Sequence, residues 1–163
     1  MSSFRDRPFG REDASYVVEA HTWPRVLGFV SAPPTEELVL ATLDAPNVRR
    51  RIILDERSER AGLWMARVHE GWLVEIGLII AQAPRQGVGR FALRSALDWA
   101  FADLGAHRIS LEVTARNKGA RALYENEGFV LEGTYRDGFR RNDGGFEDLV
   151  HYGLLRSEAP RYR

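Results

Sequence analysis

The sequence contains no cysteine, and this absence excludes several kinds of chemistry at once. Without a thiol, the protein has no disulfide, no cysteine nucleophile and no cysteine-based metal site. The histidines are few and scattered, and none of them pairs with another at metal-ligand spacing: they are His21, His69, His107 and His151. We therefore expect no metal in this protein.

The chain also has no net charge and no long hydrophobic run. Its 23 basic and 23 acidic residues give a formal net charge of zero at pH 7. General nucleic-acid binding needs a basic face that displaces counterions, so this balance argues against it. The N-terminal segment MSSFRDRPFG is too polar for a signal peptide, and the longest apolar runs are far shorter than a membrane span. These features predict a cytoplasmic protein that binds neither nucleic acid nor membranes.

The residues that are present fit one domain of ordinary size. The chain has 163 residues, and 44% of them are hydrophobic, which is enough for a core. We find no internal repeat, no low-complexity stretch and no linker. Residues 1–163 are therefore expected to form a single domain.

Hydrophobic periodicity and turn residues predict an alternation of strands and helices. The predicted strands cover residues 4–8, 50–55, 62–68, 72–80, 107–114, 129–135 and 147–155. The predicted helices cover residues 11–20, 36–43, 88–104 and 117–126. Hairpin turns are expected at residues 70–71 and 142–145. This order indicates an α/β chain with antiparallel hairpins at both ends, not a series of uniform βα units.

A glycine-containing loop lies between a predicted strand and the start of a helix. It reads Arg85-Gln86-Gly87-Val88-Gly89-Arg90. Glycine lets the backbone approach a ligand closely, and the free N–H groups at a helix N-terminus bind anions. A pyrophosphate would suit this loop. The alternative is a loop that only needs positive φ angles.

Two other phosphate-binding motifs can be compared with the same loop. Gly87-Val-Gly-Arg-Phe-Ala92 matches the dinucleotide pattern, but residues 81–86 separate it from the preceding strand, and too little chain follows for that sheet. No Lys-Ser or Lys-Thr follows the glycines, so the nucleoside-triphosphate loop is excluded. Neither motif explains the loop.

A second motif follows downstream, with Leu111-Glu-Val113, Asn117, Ala120, Leu123-Tyr124 and Gly128-Phe129. Together with the glycine loop, it resembles the signature of the GNAT N-acetyltransferase superfamily. The loop resembles that superfamily's acetyl-CoA loop, R/Q-x-x-G-x-G/A, except that Pro84 occupies the first position. Residues 75–80 and 128–137 are similar to the RimJ/RimL-type branch, which acetylates the N-termini of ribosomal proteins.

The resemblance implies a fold and a reaction. The fold would be an α/β (α+β) GNAT fold, in which about four helices flank a mixed, mostly antiparallel twisted sheet of about six or seven strands. The sheet would splay between its fourth and fifth strands, leaving a gap for the pantetheine arm. The reaction would transfer an acetyl group from acetyl-CoA, as co-substrate, to a primary amine by direct attack in a ternary complex.

The resemblance also implies roles for residues that hold the coenzyme. Residues 85–90 would bind its pyrophosphate, and backbone N–H groups of Leu78, Ile79 and Ile80, on a strand that bulges away from its neighbour, would stabilise the thioester oxygen. Asn117 would contact coenzyme A at a helix start. The alternative for Asn117 is an ordinary N-cap, and both roles can hold at once.

Catalytic roles are implied for a tyrosine and a carboxylate. Tyr124 would protonate the departing thiolate, although it could instead only pack in the core. Glu112 or Glu75 would remove a proton from the amine. We favour Glu112 slightly, but either residue could be a solvated charge or an ion-pair partner of an arginine, and a base acting through water elsewhere stays open.

The acceptor cannot be read from these motifs. A protein N-terminus, a polyamine, an amino acid and an antibiotic amine are all open. The segment 136–141, rich in arginine, either lines the acceptor site or is a solvated turn. Two other functions also remain: transfer from a longer acyl-CoA, and a non-catalytic acyl-CoA-binding domain. Dimers are common among relatives, so a homodimer is one expectation.

Overall fold

Seven strands form one sheet in the computed structural model of the protein, which describes residues 4–23, 26, 33–80 and 87–162. The strands are β1 (Arg5–Pro8), β2 (Val48–Leu54), β3 (Arg60–His69), β4 (Leu73–Ile80), β5 (Arg108–Thr114), β6 (Val130–Arg140) and β7 (Phe146–Leu155). The α-helices of the described residues include α1 (Ala14–Thr22), α2 (Glu36–Ala41), α3 (Val88–Leu97) and α4 (Lys118–Asn126). Short 3-10 helices cover Arg11–Asp13, Arg156–Glu158 and Pro160–Tyr162. The elements therefore follow the predicted order.

The sheet is open between its fourth and fifth strands. The strand order is β1-β2-β3-β4-β5-β7-β6, and β4 and β5 are the parallel neighbours in it. Their pairing begins at Leu73 and Arg108 and ends at Glu75 and Ser110. Both strands continue beyond this point, β4 to Ile80 and β5 to Thr114. This confirms the splay that the family resemblance implied.

Local signals in the sequence set several of the element ends. Thr35 Oγ1 accepts a hydrogen bond from the Leu38 N–H at 3.2 Å, so it caps α2 as predicted. Gly128 follows α4 with φ of 94°, a left-handed conformation that favours glycine. Glu70 and Gly71 both have positive φ, which matches the tight hairpin predicted between β3 and β4.

Apolar residues on the two faces of the sheet build two cores. On one face, which we call the α3–α4 face, buried residues include Trp64, Leu93, Phe101, Ile109 and Tyr152. On the other face, the α1–α2 face, they include Tyr16, Val17, Val39, Ile52 and Leu63. Each strand between the two layers therefore sends alternate side chains to opposite cores.

The structure differs from the sequence-based prediction in two elements. Residues 136–140 were expected in a turn, but β6 continues to Arg140, with pairing irregularities between Leu131 and Gly133 and between Tyr135 and Phe139. Exposed polar side chains along this edge strand hide the alternation that would have predicted it. Helix α3 was expected to run to 104, but it passes into a π-helical segment, Asp98–Asp103.

None of the helices in the described ranges is long and apolar enough to cross a membrane.

Candidate active site

The gap between β4 and β5 forms the frame of the candidate site. Leu78, Ile79 and Ile80 pair in unbroken register with β3, but beyond Glu75 they have no pairing with β5. Successive N–H groups of a strand point to opposite edges, so at least one of these three faces the gap. The predicted bulge is not seen in the register with β3; β4 instead separates from β5. An extended ligand could pair with this free edge.

The start of α3 lies directly after the glycine loop. Gly87 is the residue before the helix and has φ of 82°, and a Cβ added there would meet no described atom within 4 Å. Open space beside a helix start fits a phosphate group. Arg85 and Gln86, which were predicted to bind the same group, lie outside the described residues.

The second glycine of the loop has a different environment. A Cβ added to Gly89 would lie 3.4 Å from Leu123 Cδ2 and 3.8 Å from Ile80 Cγ1. Gly89 therefore lets α3 pack closely on α4 and the end of β4. Arg90, another predicted coenzyme ligand, has its Nε 3.2 Å from Glu127 Oε1, and Arg94 contacts the same carboxylate at 2.9 Å.

Tyr124 is placed by α4 in the core on the α3–α4 face. Its side chain packs against Phe129 and Tyr152, with ring centroids 6.0 and 5.9 Å away, and the residue is only 7% exposed. Burial raises the pKa of Tyr124 to about 12, with a smaller contribution from Tyr152. Among the described residues its hydroxyl has no hydrogen-bond partner. Core packing is thus confirmed, and a contact between the hydroxyl and a ligand stays a prediction.

Asn117 is the N-cap of α4. Its Oδ1 accepts a hydrogen bond from the Ala120 N–H at 3.2 Å, so the capping role is observed. A contact with coenzyme A stays a prediction. The residue stands three positions after Thr114, the last residue of β5, and so lies near the open end of the gap.

The two candidate bases lie on the α1–α2 face, the side of the sheet opposite Tyr124. Strand alternation sends Val74, Ile76, Ile109 and Leu111 to the other core, which leaves Glu75 and Glu112 on this face. Their side chains are 45% and 44% exposed. The two carboxylates and the phenol therefore lie on opposite faces of the sheet.

Each carboxylate is paired with a histidine. Glu75 Oε2 and His69 Nε2 are 3.2 Å apart, in hydrogen-bond geometry. Glu112 Oε1 and His151 Nε2 are also 3.2 Å apart, but they do not meet hydrogen-bond geometry. The sequence-based alternative of an arginine partner is wrong for both residues in the described structure, because the ion-pair partner of each is a histidine.

Sequence reasoning missed both histidines. His151 lies opposite Glu112 in the antiparallel register of β5 with β7. These strands are neighbours in the sheet although a helix and another strand separate them in the chain. No local pattern therefore linked the two residues. Within the described residues, no three or more His, Asp or Glu side chains form a group that could hold a metal ion.

Comparison with known proteins assigns the family. A family model for the "Acetyltransferase (GNAT) domain" matches residues 7–130. This match covers more than half of the chain, so the chain belongs to the GNAT acetyltransferase family. The family resemblance read from the motifs is confirmed.

Two curated relatives carry more specific names. The chain is 33% identical over 107 residues to "Putative ribosomal N-acetyltransferase YdaF" of Bacillus subtilis (strain 168), an alignment that covers 64% of this chain. It is 29% identical over 116 residues to spermidine N(1)-acetyltransferase of Vibrio cholerae serotype O1, covering 69% of this chain. The alignments span 50% of the Bacillus protein and 66% of the Vibrio protein.

Solved structures confirm the fold. A spermidine N-acetyltransferase from Vibrio cholerae, in complex with CoA and spermine, superposes with a TM-score of 0.87 at 26% identity, covering 98% of this chain and 99% of that chain. A dodecameric form of the Vibrio enzyme gives a TM-score of 0.84 at 26% identity, covering all of both chains. GNAT enzymes take their acetyl group from acetyl-CoA, so the predicted co-substrate is confirmed at the level of the family.

Coenzyme A should raise the unfolding temperature of the protein, and Gly87→Val should abolish that increase. Ligand at ~100 times its dissociation constant adds about 2.7 kcal/mol to the free energy of unfolding. A branched side chain at Gly87 would strain its left-handed backbone and fill the open space beside the helix start. Thermal unfolding with and without coenzyme A measures the effect.

Gly144→Val is the matched control for this substitution. Gly144 also has a positive φ, of 86°, and open space around it, but it lies in the turn between β6 and β7. The control variant should lose stability because valine strains the same left-handed backbone. Coenzyme A should still raise its unfolding temperature as much as it does for the wild type. If coenzyme A raises the unfolding temperature of the Gly87 and Gly144 variants equally, the assignment of the glycine loop to pyrophosphate binding is contradicted.

Proposed function

We propose that this protein is an N-acetyltransferase that transfers an acetyl group from acetyl-CoA to a primary amine within a ternary complex. One observation carries the proposal: β4 and β5 part after Glu75, with Glu75 and Glu112 on one face of the sheet and Tyr124 in the core on the other. Direct transfer needs a base for the incoming amine and a donor for the leaving sulfur. These residues would supply one from each face to a thioester in the gap.

The coenzyme would be held mainly by backbone groups. We assign the thioester oxygen to N–H groups of residues 78–80 that face the gap, and the pyrophosphate to the N–H groups of residues 85–90, including Gly87 and Val88. Asn117 would contact the coenzyme from the start of α4. Acetyl-CoA supplies an activated acetyl group; the protein supplies position and proton transfer.

Glu112 is the better placed of the two bases. A primary amine arrives mostly protonated at neutral pH, because amines have pKa values of roughly 8 to 10.4. Glu75 lies opposite Ser110, where β4 and β5 still pair, whereas Glu112 lies two residues further along β5, where the strands have parted. A proton acceptor beside the open gap can reach the acceptor amine directly or through one water.

Tyr124 would act on the leaving group from the other side. Its raised pKa, about 12, keeps the phenol protonated at neutral pH, so that it can donate a hydrogen bond. An ordinary thiol has a pKa of roughly 8.5, so full proton transfer from this phenol to a thiolate is uphill. We therefore assign Tyr124 a hydrogen bond to the developing thiolate, with the final proton reaching sulfur from solvent.

A polyamine is the acceptor that the described face favours. Among the described residues, the partners of the exposed Glu75 and Glu112 carboxylates within 4 Å are histidines, and exposed carboxylates attract a small polycation. The similarity to the spermidine enzyme of Vibrio cholerae supports this choice. A protein N-terminus is the second candidate, supported by the similarity to the Bacillus protein. Transfer from a longer acyl-CoA stays a third possibility.

A homodimer remains part of the proposal. The edge strand β6 exposes Val130, Leu131 and Tyr135, and an edge strand with apolar side chains readily pairs with another chain. A related enzyme forms a dodecamer, which supports self-association. The single domain and the cytoplasmic location stay predictions.

Tyr124→Phe should lower the turnover number at least ~10-fold while the affinity for acetyl-CoA changes little. The substitution removes one oxygen and almost no volume, and that oxygen has no hydrogen-bond partner among the described residues, so stability should hold. Steady-state kinetics by release of the coenzyme A thiol measures both quantities.

Tyr152→Phe is the control for loss of a buried phenol. The Tyr152 hydroxyl donates to Glu125 at 2.6 Å and accepts from Arg121 at 3.1 Å, so its loss should cost stability rather than turnover. Wild-type turnover of the Tyr124→Phe variant on the best acceptor would contradict the role of Tyr124 at the leaving sulfur. Such a result would favour a different proton donor, whereas absence of turnover in the wild type would favour a non-catalytic acyl-CoA-binding role.

Glu112→Gln should lower kcat/KM most near neutral pH. Raising the pH toward the pKa of the amine supplies neutral acceptor without help from a base, so the loss should shrink as pH rises. A ratio of wild-type to variant kcat/KM that stays constant from pH 6.5 to 9.5 would indicate a structural role. The same pH profile of kcat/KM, measured for Glu75→Gln, shows which of the two carboxylates acts as the base.

A further inference from the structure

The α1–α2 face carries two Glu–His pairs, and their positions relative to the gap differ. The Glu75–His69 pair lies at the closed end, next to the last β4–β5 contact and the hairpin turn that follows His69. The Glu112–His151 pair spans β5 and β7 beside the open part of the gap. The second pair can therefore act on an acceptor that the first pair reaches less directly.

His151 is more buried than His69. Its ring makes an edge contact with Tyr135, with centroids 4.0 Å apart and planes at 65°. The His151 side chain is 22% exposed, against 43% for His69, and its Nε2 atom is shielded from solvent. The cross-strand register places the imidazole beside Glu112. The packed ring therefore limits the positions that this carboxylate can take.

The charged groups around His151 leave Glu112 as its carboxylate partner. From β5 the ring faces Glu112, and from β6 it faces Tyr135 and the neighbouring Glu132. Arg108 binds the Glu132 carboxylate with both terminal nitrogens, and this hydrogen bonding lowers the pKa of Glu132. Glu132 is therefore already neutralised by Arg108. Among the described residues, Glu112 is the carboxylate beside the ring that has no arginine or lysine as an ion-pair partner.

Resting on the proposed acetyl transfer, we propose that His151 is a positioning residue: its ring contacts Oε1 of Glu112 and so keeps the second carboxylate oxygen towards the acceptor amine. That oxygen takes a proton from R–NH3+, giving the neutral amine and a carboxylic acid. The amine nitrogen then bonds to the acetyl carbon, and the C–S bond breaks with its electron pair on sulfur. The second nitrogen proton is lost and the thiolate gains one, both through solvent, and Glu112 returns its proton to solvent.

Two substitutions at His151 test this orientation. Gln in H151Q places a neutral amide nitrogen near the position of Nε2, whereas Ala in H151A removes the contact with Glu112. We expect H151A to lower kcat about 10-fold at pH 8, because a loosened base is misplaced, with KM for acetyl-CoA within about 2-fold. H151Q should restore kcat at pH 8 to within about 3-fold of wild type. H69Q, at the other pair, is the matched control and should follow the wild type.

A double-mutant cycle distinguishes this role from simple packing. If His151 acts through Glu112, H151A should lower kcat about 10-fold with Glu112 present and cause no further loss in an E112Q background. An equal loss in both backgrounds, or a comparable loss in H69Q, would overturn the proposal. If H151Q does not fold, the cycle of H151A with E112Q carries the same test.

These outcomes are separate from a failure of the proposed function. If the wild-type protein releases no coenzyme A thiol with polyamines, amino acids or peptide N-termini, the proposed acetyl transfer itself fails. If the wild-type protein is active and H151A keeps the wild-type kcat, acetyl transfer stands and the role of His151 is wrong. The response of unfolding temperature to coenzyme A, measured for each variant, confirms that the coenzyme site is intact.

Discussion

The parting of β4 and β5 is the constraint on which the rest of the site depends. Two strands that pair over three residues and then separate leave backbone donors and acceptors along both free edges. Such groups need a partner, either water or a ligand, because an unsatisfied buried one costs about 1 to 3 kcal/mol. The regular register of β4 with β3 keeps the free edge straight, so a ligand in extended conformation can lie along it.

The pleat of β5 explains how the proposed acid and base are kept apart. Because side chains alternate across a strand, one face of β5 supplies the core while the other presents Ser110 and Glu112. Helix α4 packs on the core face and holds Tyr124 there. The phenol is desolvated and its pKa is raised, while the carboxylates are about half-exposed. Two environments on opposite faces of the sheet thus suit the opposite tasks that we propose.

Much of the fold could be predicted because its signals are local. Helix caps such as Thr35 and Asn117, the left-handed turn at Glu70 and Gly71, and the alternation around Leu111 each depend on a few neighbouring residues. The family motifs then supplied the splay, which no local pattern could have shown. The exposed second half of β6 was missed because an edge strand with polar side chains lacks the apolar alternation on which strand prediction depends.

The site was predicted less completely, and for a physical reason. Tyr124, Glu75 and Glu112 were named from motifs, but their partners come from strands that are distant in sequence. Gly89 was grouped with Gly87 as a phosphate contact, yet its missing side chain makes room for Leu123 and Ile80. A glycine selected for helix packing and one selected for a ligand look alike in a sequence. Only the three-dimensional neighbours separate them.

Amide hydrogen exchange in the presence and absence of acetyl-CoA tests the central claim most directly. If the coenzyme lies in the gap and bonds to the free strand edge, amides within residues 76–80 and 87–90 should exchange more slowly when it is bound. Amides of β2 and β7 should be unaffected, because both strands are already paired on either side. Binding of acetyl-CoA without protection of residues 76–80 would contradict the account, since the coenzyme would then bind somewhere other than the gap.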